Sequence, residues 1–199
     1  MAITITADTT NVSAFLGAFP VETSKAIQSA AVRSSKAMGT QANRVVSRDM
    51  GLKVGTVRSK LKPFGPRGPD LAWGVRASSK RIPLIEFGAR GPEPSRGKGR
   101  GVTYKSGRRG KGRQANAFIA TVGAHRGVFK RKAGAGRLPI QQLFGPSVGR
   151  VLSEQQASVK ARGQEVFEAE LHRLLGRIIG QMSGGASGSL PSFGGRLGG

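Results

Sequence analysis

Glu168 and His172 lie four residues apart in a stretch with helical periodicity, so both project from one face as possible metal ligands. One pair does not close a coordination sphere, and polar pairs at this spacing are ordinary on solvated helix faces. His125 falls beside Arg126 where a turn between strands is expected, a place suited to any small polar residue. Asp8, Asp49 and Asp70 are widely scattered, and no D-x-D cluster suggests a magnesium-dependent nuclease. With no cysteine in the chain, neither a disulfide framework nor a thiolate metal site is available.

Glycine-rich basic text also invites a phosphate-loop reading. Gly91 is separated from Gly97-Lys98 by five residues where that loop requires four, and Gly99 stands where the magnesium-binding Ser or Thr belongs. The residues therefore predict no enzyme, no metal and no cofactor.

Residues able to bind without reacting are abundant. The 199 residues include 33 Lys and Arg against 10 Asp and Glu, a net charge of +23. Its distribution is lopsided: +1 over Met1–Asn43, +20 over Arg44–Arg137 and +2 over Leu138–Gly199. A polyanion, either nucleic acid or an acidic protein surface, is the natural partner of such a midsection, and the plainer alternative is a solvated basic loop. The candidate contacts are Arg96, Lys98 and Arg100, then Lys105, Arg108, Arg109, Lys111 and Arg113, and on the next strand Lys130, Arg131 and Lys132.

Readout of bases has little support. Tyr104 is the sole aromatic inside Arg90–Arg113, too few for stacking. A helix-turn-helix across Gly51 would need compact helices of similar length, and the first helix here is far too long. What remains is a salt-sensitive, sequence-blind hold on phosphates or carboxylates.

These side chains must be positioned by a lean scaffold. Thirty-one Gly, ten Pro and 37% apolar residues predict a modest private core, with much order drawn from neighbouring subunits. The expected fold class is α+β: a long N-terminal helix, a small antiparallel sheet with a basic insertion, and a long C-terminal helix. Residues 1–182 are read as a single domain, 90–113 as a mobile basic loop and 183–199 as a flexible Gly/Ser-rich tail.

Ile3–Thr6 alternates like an edge strand, and Asn11–Phe19 suits one or two helical turns. From Val21 to Met50, Ile27, Ala31, Met38, Ala42 and Val45 mark one face of a helix about 45 Å long, with Gly51 as its stop. That Ala-rich stripe suits close packing against another helix. Lys53–Leu61 reads as a short helix ended by Pro63, and Leu71–Ala77 and Ile82–Gly88 as strands anchored by Trp73. Asn116–Gly123 and Gly127–Lys130 form a hairpin turning at Ala124–Arg126. Ser147 is placed to cap a second helix reaching Met182, its face lined by Val148, Val151, Leu152, Val159, Val166, Leu171, Leu174, Leu175, Ile178 and Met182. The opening has no secretory h-region, and no run approaches a membrane span, which predicts a protein made and used on the cytosolic side.

One connector concentrates large apolar residues: GVFKRKAGAGRLPIQQLFGPS, Gly127–Ser147. Phe129, Leu138, Ile140, Leu143 and Phe144 are candidate packing or subunit contacts, with Pro139 and Pro146 forcing extended or turning backbone. Leu171, Leu174 and Ile178 are their counterparts on the last helix. The connector either fixes that helix to the sheet or also meets a neighbouring subunit.

AFIA at Ala117–Ala120, H-x-G-V-F-x-R at His125–Arg131 and R-L-P-I-x-x-L-x-G-P-S at Arg137–Ser147 resemble the minor tail protein Z family of lambda-like siphophages and their prophages. The helical N-terminus followed by KVGTVRSKLK is similar to that family's opening. The resemblance is close over about thirty residues and loose over most of the chain, and the RGKGRG insertion and glycine-rich tail depart from it. It implies a structural virion protein, assembled in the host cytoplasm, that acts in tail completion at the head-proximal end of a non-contractile tail. Implied partners are sibling copies in a ring, the tail terminator, the head–tail connector, the tape measure protein and the phage double-stranded DNA end, with no membrane.

Six such midsections would bring on the order of 120 positive charges around a duplex segment carrying only ~26 phosphates. The cations are therefore expected to divide between DNA and acidic neighbours. A free, sequence-nonspecific nucleic-acid-binding protein is the alternative.

Overall fold

Helix α1 spans Val21–Met50, as its periodicity predicts, and Gly51 ends it with φ +65°. The Leu52 N–H reaches back to the Ser47 carbonyl at 3.2 Å, closing the left-handed terminus that only glycine adopts without cost. The computed structural model describes residues 2–6, 21–67, 71–93, 101–132 and 138–182. The turns expected over Asn11–Phe19, the cations Arg96, Lys98 and Arg100, the acids Asp8 and Asp70, and the tail from residue 183 lie outside these.

The buried stripe of α1 runs through Ile27, Ala31, Met38, Ala42, Val46 and Met50. Val46 takes the place expected for Val45, which is half-buried against the core. Small residues in that stripe admit a second helix at close range. This is α4, Gln156–Met182, antiparallel to α1, since Arg33 meets Glu170, Ser34 meets Gly163 and Asp49 meets Gln155. Both rods thus find their main partner within the chain.

The second helix differs from the expected single rod. Val148–Glu154 form α3, Ser147 caps it by accepting from the Arg150 N–H at 3.3 Å, and Gln155 (φ −106°, ψ 12°) separates it from α4. The Gln155 side chain donates to Asp49 Oδ2 at 3.1 Å, so the break sits on the end of α1 while α3 turns to pack on strands β1 (Ala2–Thr6) and β3 (Gly74–Ser78).

Instead of one sheet there are several small antiparallel ones. β1 (Ala2–Thr6), β3 (Gly74–Ser78) and β2 (Leu61–Phe64) pair in that order. β2 replaces the end of the expected helix, which shrinks to α2, Val54–Arg58. Pro63 is tolerated because β2 is an edge and its missing N–H breaks no ladder. Trp73 is buried as expected, but immediately ahead of β3. The Ile82–Gly88 run gives only β4 (Arg81–Pro83); Pro83 then starts a 3₁₀ turn, Leu84–Phe87, that closes at Gly88 with φ +63°.

Within the expected basic loop, β5 (Val102–Lys105) and β6 (Lys111–Gln114) form a hairpin with a 3₁₀ turn, Gly107–Arg109, at its tip. β7 (Ala117–Val122) and β8 (His125–Arg131) turn at Gly123 (φ +60°) and Ala124, one residue earlier than the sequence suggests. The connector then supplies β9 (Ile140–Gln142) to β8 and β10 (Phe144–Ser147) to β4. Leu143 joins them: its N–H donates to the Val128 carbonyl at 2.8 Å and its carbonyl accepts from the Leu84 N–H at 3.0 Å. This ties the last helices to two sheets. Ile140 and Leu143 are half-buried, whereas Leu138 and Phe144 remain exposed.

One continuous cluster joins α1, α3, α4 and the strands, including Trp73, Phe87, Ile82, Val102, Val128 and Leu152. Alanines make this possible by letting few large side chains fill the space. Phe167 completes it by stacking on Trp73 with ring centroids 4.6 Å apart.

Candidate polyanion-binding surface

The β5–β6 hairpin pairs Lys105 with Lys111 and Thr103 with Arg113. Residues two apart share a sheet face, so Lys105, Lys111 and Arg113 lie together, and all three are exposed. The opposite face carries buried Val102 and half-buried Tyr104. Tyr104 lies across Gly112, where an added Cβ would collide with the ring; glycine here lets the ring cover the strand and leaves the charges pointing outward. Like charges directly opposite each other destabilise a ladder, and an anion laid across them removes the repulsion.

The hairpin's tip is seated on the end of α1. Gly107, at φ +49°, approaches so closely that an added Cβ would overlap the Asp49 carbonyl oxygen. Arg108 Nε lies 3.5 Å from Asp49 Oδ1, so this cation is partly committed inside the chain. Arg90 and Thr103 exchange backbone hydrogen bonds of 2.7 and 2.8 Å that hold the other end. Arg109 lies in the tip's 3₁₀ turn.

Lys130, Arg131 and Lys132 do not form one patch. Alternation sends Lys130 and Arg131 to opposite faces of the β7-β8-β9 sheet, and Arg131 lies over the Phe118 ring at 5.6 Å. Phe129 is buried, tilted against Phe118 at 6.3 Å, on the face turned away from Ile119 and Val128. Leu171 and Leu174 are half-buried against the core, and Ile178 is half-buried farther along α4.

A further cationic face was hidden in the sequence. Lys62 on β2 opposes Arg76 on β3, and both are exposed. The Arg76 guanidinium lies 4.6 Å above the Phe64 ring, and Lys60 continues the row where its carbonyl accepts from the Ser78 N–H at 3.0 Å. The alternation Lys60, Lys62, Phe64 was its signal, masked by a run that also reads as helix.

Several carboxylates are engaged by arginines of the same chain: Asp49 by Arg108, Glu93 by Arg126 at 2.9 Å, Glu154 by Arg150, Glu165 by Arg162, and Glu170 by Arg33 and Arg173. The hydrogen bond from Arg173 holds the Glu170 carboxyl below the usual carboxylate range against the opposing effect of desolvation, helped by the charges of Arg173, Arg33 and Arg177. A cavity of about 210 Å³ opens where the hairpin tip, α1 and α3 meet, and its charged groups Asp49, Arg108 and Glu154 are among these pairs.

His172 and Glu168 sit on α4 and His125 at the start of β8. Among the described residues no three His, Asp or Glu side chains gather as a metal site, and no helix is long and apolar enough to cross a membrane.

The family model described as prophage minor tail protein Z (GPZ) matches residues 20–180. No curated protein and no solved structure matches the chain. The match takes in both rods, every sheet strand from β2 onward and the cationic hairpin between them, so this chain belongs to the prophage minor tail protein Z family and is a structural protein of a phage tail.

Proposed function

We propose that this minor tail protein works at the head-proximal end of a siphophage tail, as a ring of about six copies beside the tail terminator and head–tail connector. There it holds the genome end through the β5–β6 hairpin. The observation that carries this reading is the exposed, opposed pair Lys105 and Lys111 with Arg113 on the same face. The contact is with phosphates and is blind to sequence, because three cations on a short hairpin supply charge, and Tyr104, the hairpin's aromatic, lies on the opposite face where it does not stack on a base. The fold supports such a role by bracing the hairpin against α1.

The test is binding of the purified full chain to a mixed-sequence duplex as a function of salt. Lys105→Gln, Lys111→Gln and Arg113→Gln together should lower the slope of log affinity against log salt by about 2.7, since each phosphate left without its cation removes ~0.9. An unchanged slope excludes the hairpin as the binding element. Electron microscopy of particles checks the placement, since absence of the protein from the neck would reject the head-proximal position.

A further inference from the structure

The outer face of the β1-β3-β2 sheet carries Lys60, Lys62 and Arg76 around Phe64. We propose that this face is a docking surface for an acidic protein partner, separate from the hairpin and independent of whether the hairpin binds DNA. Three features carry the inference.

The first is unrelieved charge. Lys62 and Arg76 oppose each other in register on a sheet held by the core, both are exposed, and no ion pair to either is seen among the described residues. A sheet that fixes two like charges side by side is improved by a carboxylate placed between them.

The second is the aromatic. Phe64 is half-exposed beneath the Arg76 guanidinium. Arginine with an aromatic side chain is the composition of a protein-interface centre. Stacking orients the guanidinium while its N–H groups stay available for bidentate contact with a carboxylate. A nucleic acid fits less well. The ring face on which a base would stack is occupied by Arg76.

The third is charge complementarity against a second copy. The chain carries +23, and Asp49, Glu93, Glu154, Glu165 and Glu170 are already engaged by its own arginines. A sibling therefore brings more cations to this face than carboxylates. The fitting occupant is a different protein whose surface places carboxylates around an apolar spot.

The experiment titrates the full chain with a poly-glutamate peptide and, separately, with a mixed-sequence DNA duplex. Lys62→Gln with Arg76→Gln should weaken poly-glutamate binding about tenfold while leaving duplex affinity within about twofold, tenfold being 1.4 kcal/mol. Phe64→Leu, which keeps both charges and removes the ring beneath Arg76, should weaken poly-glutamate binding by a smaller factor. Thermal melts of each variant establish that the fold is retained. Unchanged poly-glutamate affinity in the double variant overturns the proposal, as does a duplex affinity that falls as much as the peptide's. The hairpin triple variant runs alongside: if it leaves duplex binding intact, the DNA contact proposed above fails while the sheet-face docking stands.

Discussion

The Trp73 indole N–H donates to the Ser34 hydroxyl at 3.0 Å, and that hydroxyl donates in turn to the Gly163 carbonyl at 2.6 Å. One buried serine on α1 thus satisfies the residue ahead of β3 and binds α4, in a core where no described buried side-chain polar atom lacks a partner.

Ser34→Ala should therefore cost about 1–3 kcal/mol, because it strands a buried indole N–H. Denaturant unfolding gives the value. Combining it with Trp73→Phe, which removes the donor, should cost less than the two single changes added together; strict additivity would show that the hydrogen bond contributes nothing.

Gly163→Ala places a methyl 2.6 Å from Met38 Cγ and Sδ, and Met38 is fully buried. Overpacking costs about 1–3 kcal/mol, offset by the ~0.5–1 kcal/mol that Ala gains over Gly in a helix. A net loss is expected, relieved when Met38→Ala is added. A stabilised single variant would contradict this close approach of the helices.

Lys62→Gln should raise stability by about 0.2–1 kcal/mol by removing a like charge directly opposite Arg76. Thermal melts at low ionic strength and at 1 M salt check it, because a Debye length of ~3 Å screens the repulsion and should erase the gain. A gain that survives high salt would have another origin.

Glu170 links acid sensitivity to the packing of α1 on α4. Its folded value lies below the ordinary 4.5, so its contribution is full above that value and is lost as pH falls through the lower folded one. Glu170→Gln should lower stability at neutral pH and flatten the decline on acidification. Equilibrium unfolding at a series of pH values tests both, and parallel curves for the two proteins would rule out the link.

The long elements were legible because their signals are local. The spacing of Ile27, Ala31, Met38 and Ala42 with Gly51 behind them fixed α1, and Ser147 marked the start of α3. The hairpin was hidden by its own glycines. Gly101, Gly107, Gly110 and Gly112 read as loop composition, although three of them hold positive φ and Gly112 receives the Tyr104 ring. Phe167 escaped because Gly163 interrupts the apolar stripe four residues before it, and only the facing Met38 shows why glycine belongs there. The Lys62–Arg76 face needed pairing across strands, which spacing within one segment does not carry.

The seat of Gly107 on the last carbonyls of α1 is made by backbone atoms, with no room for a side chain between them. Lys105, Lys111 and Arg113 are consequently carried as freight on a stiff beam about 45 Å long, and whatever grips or tilts that beam in an assembled tail steers the charges by the same amount.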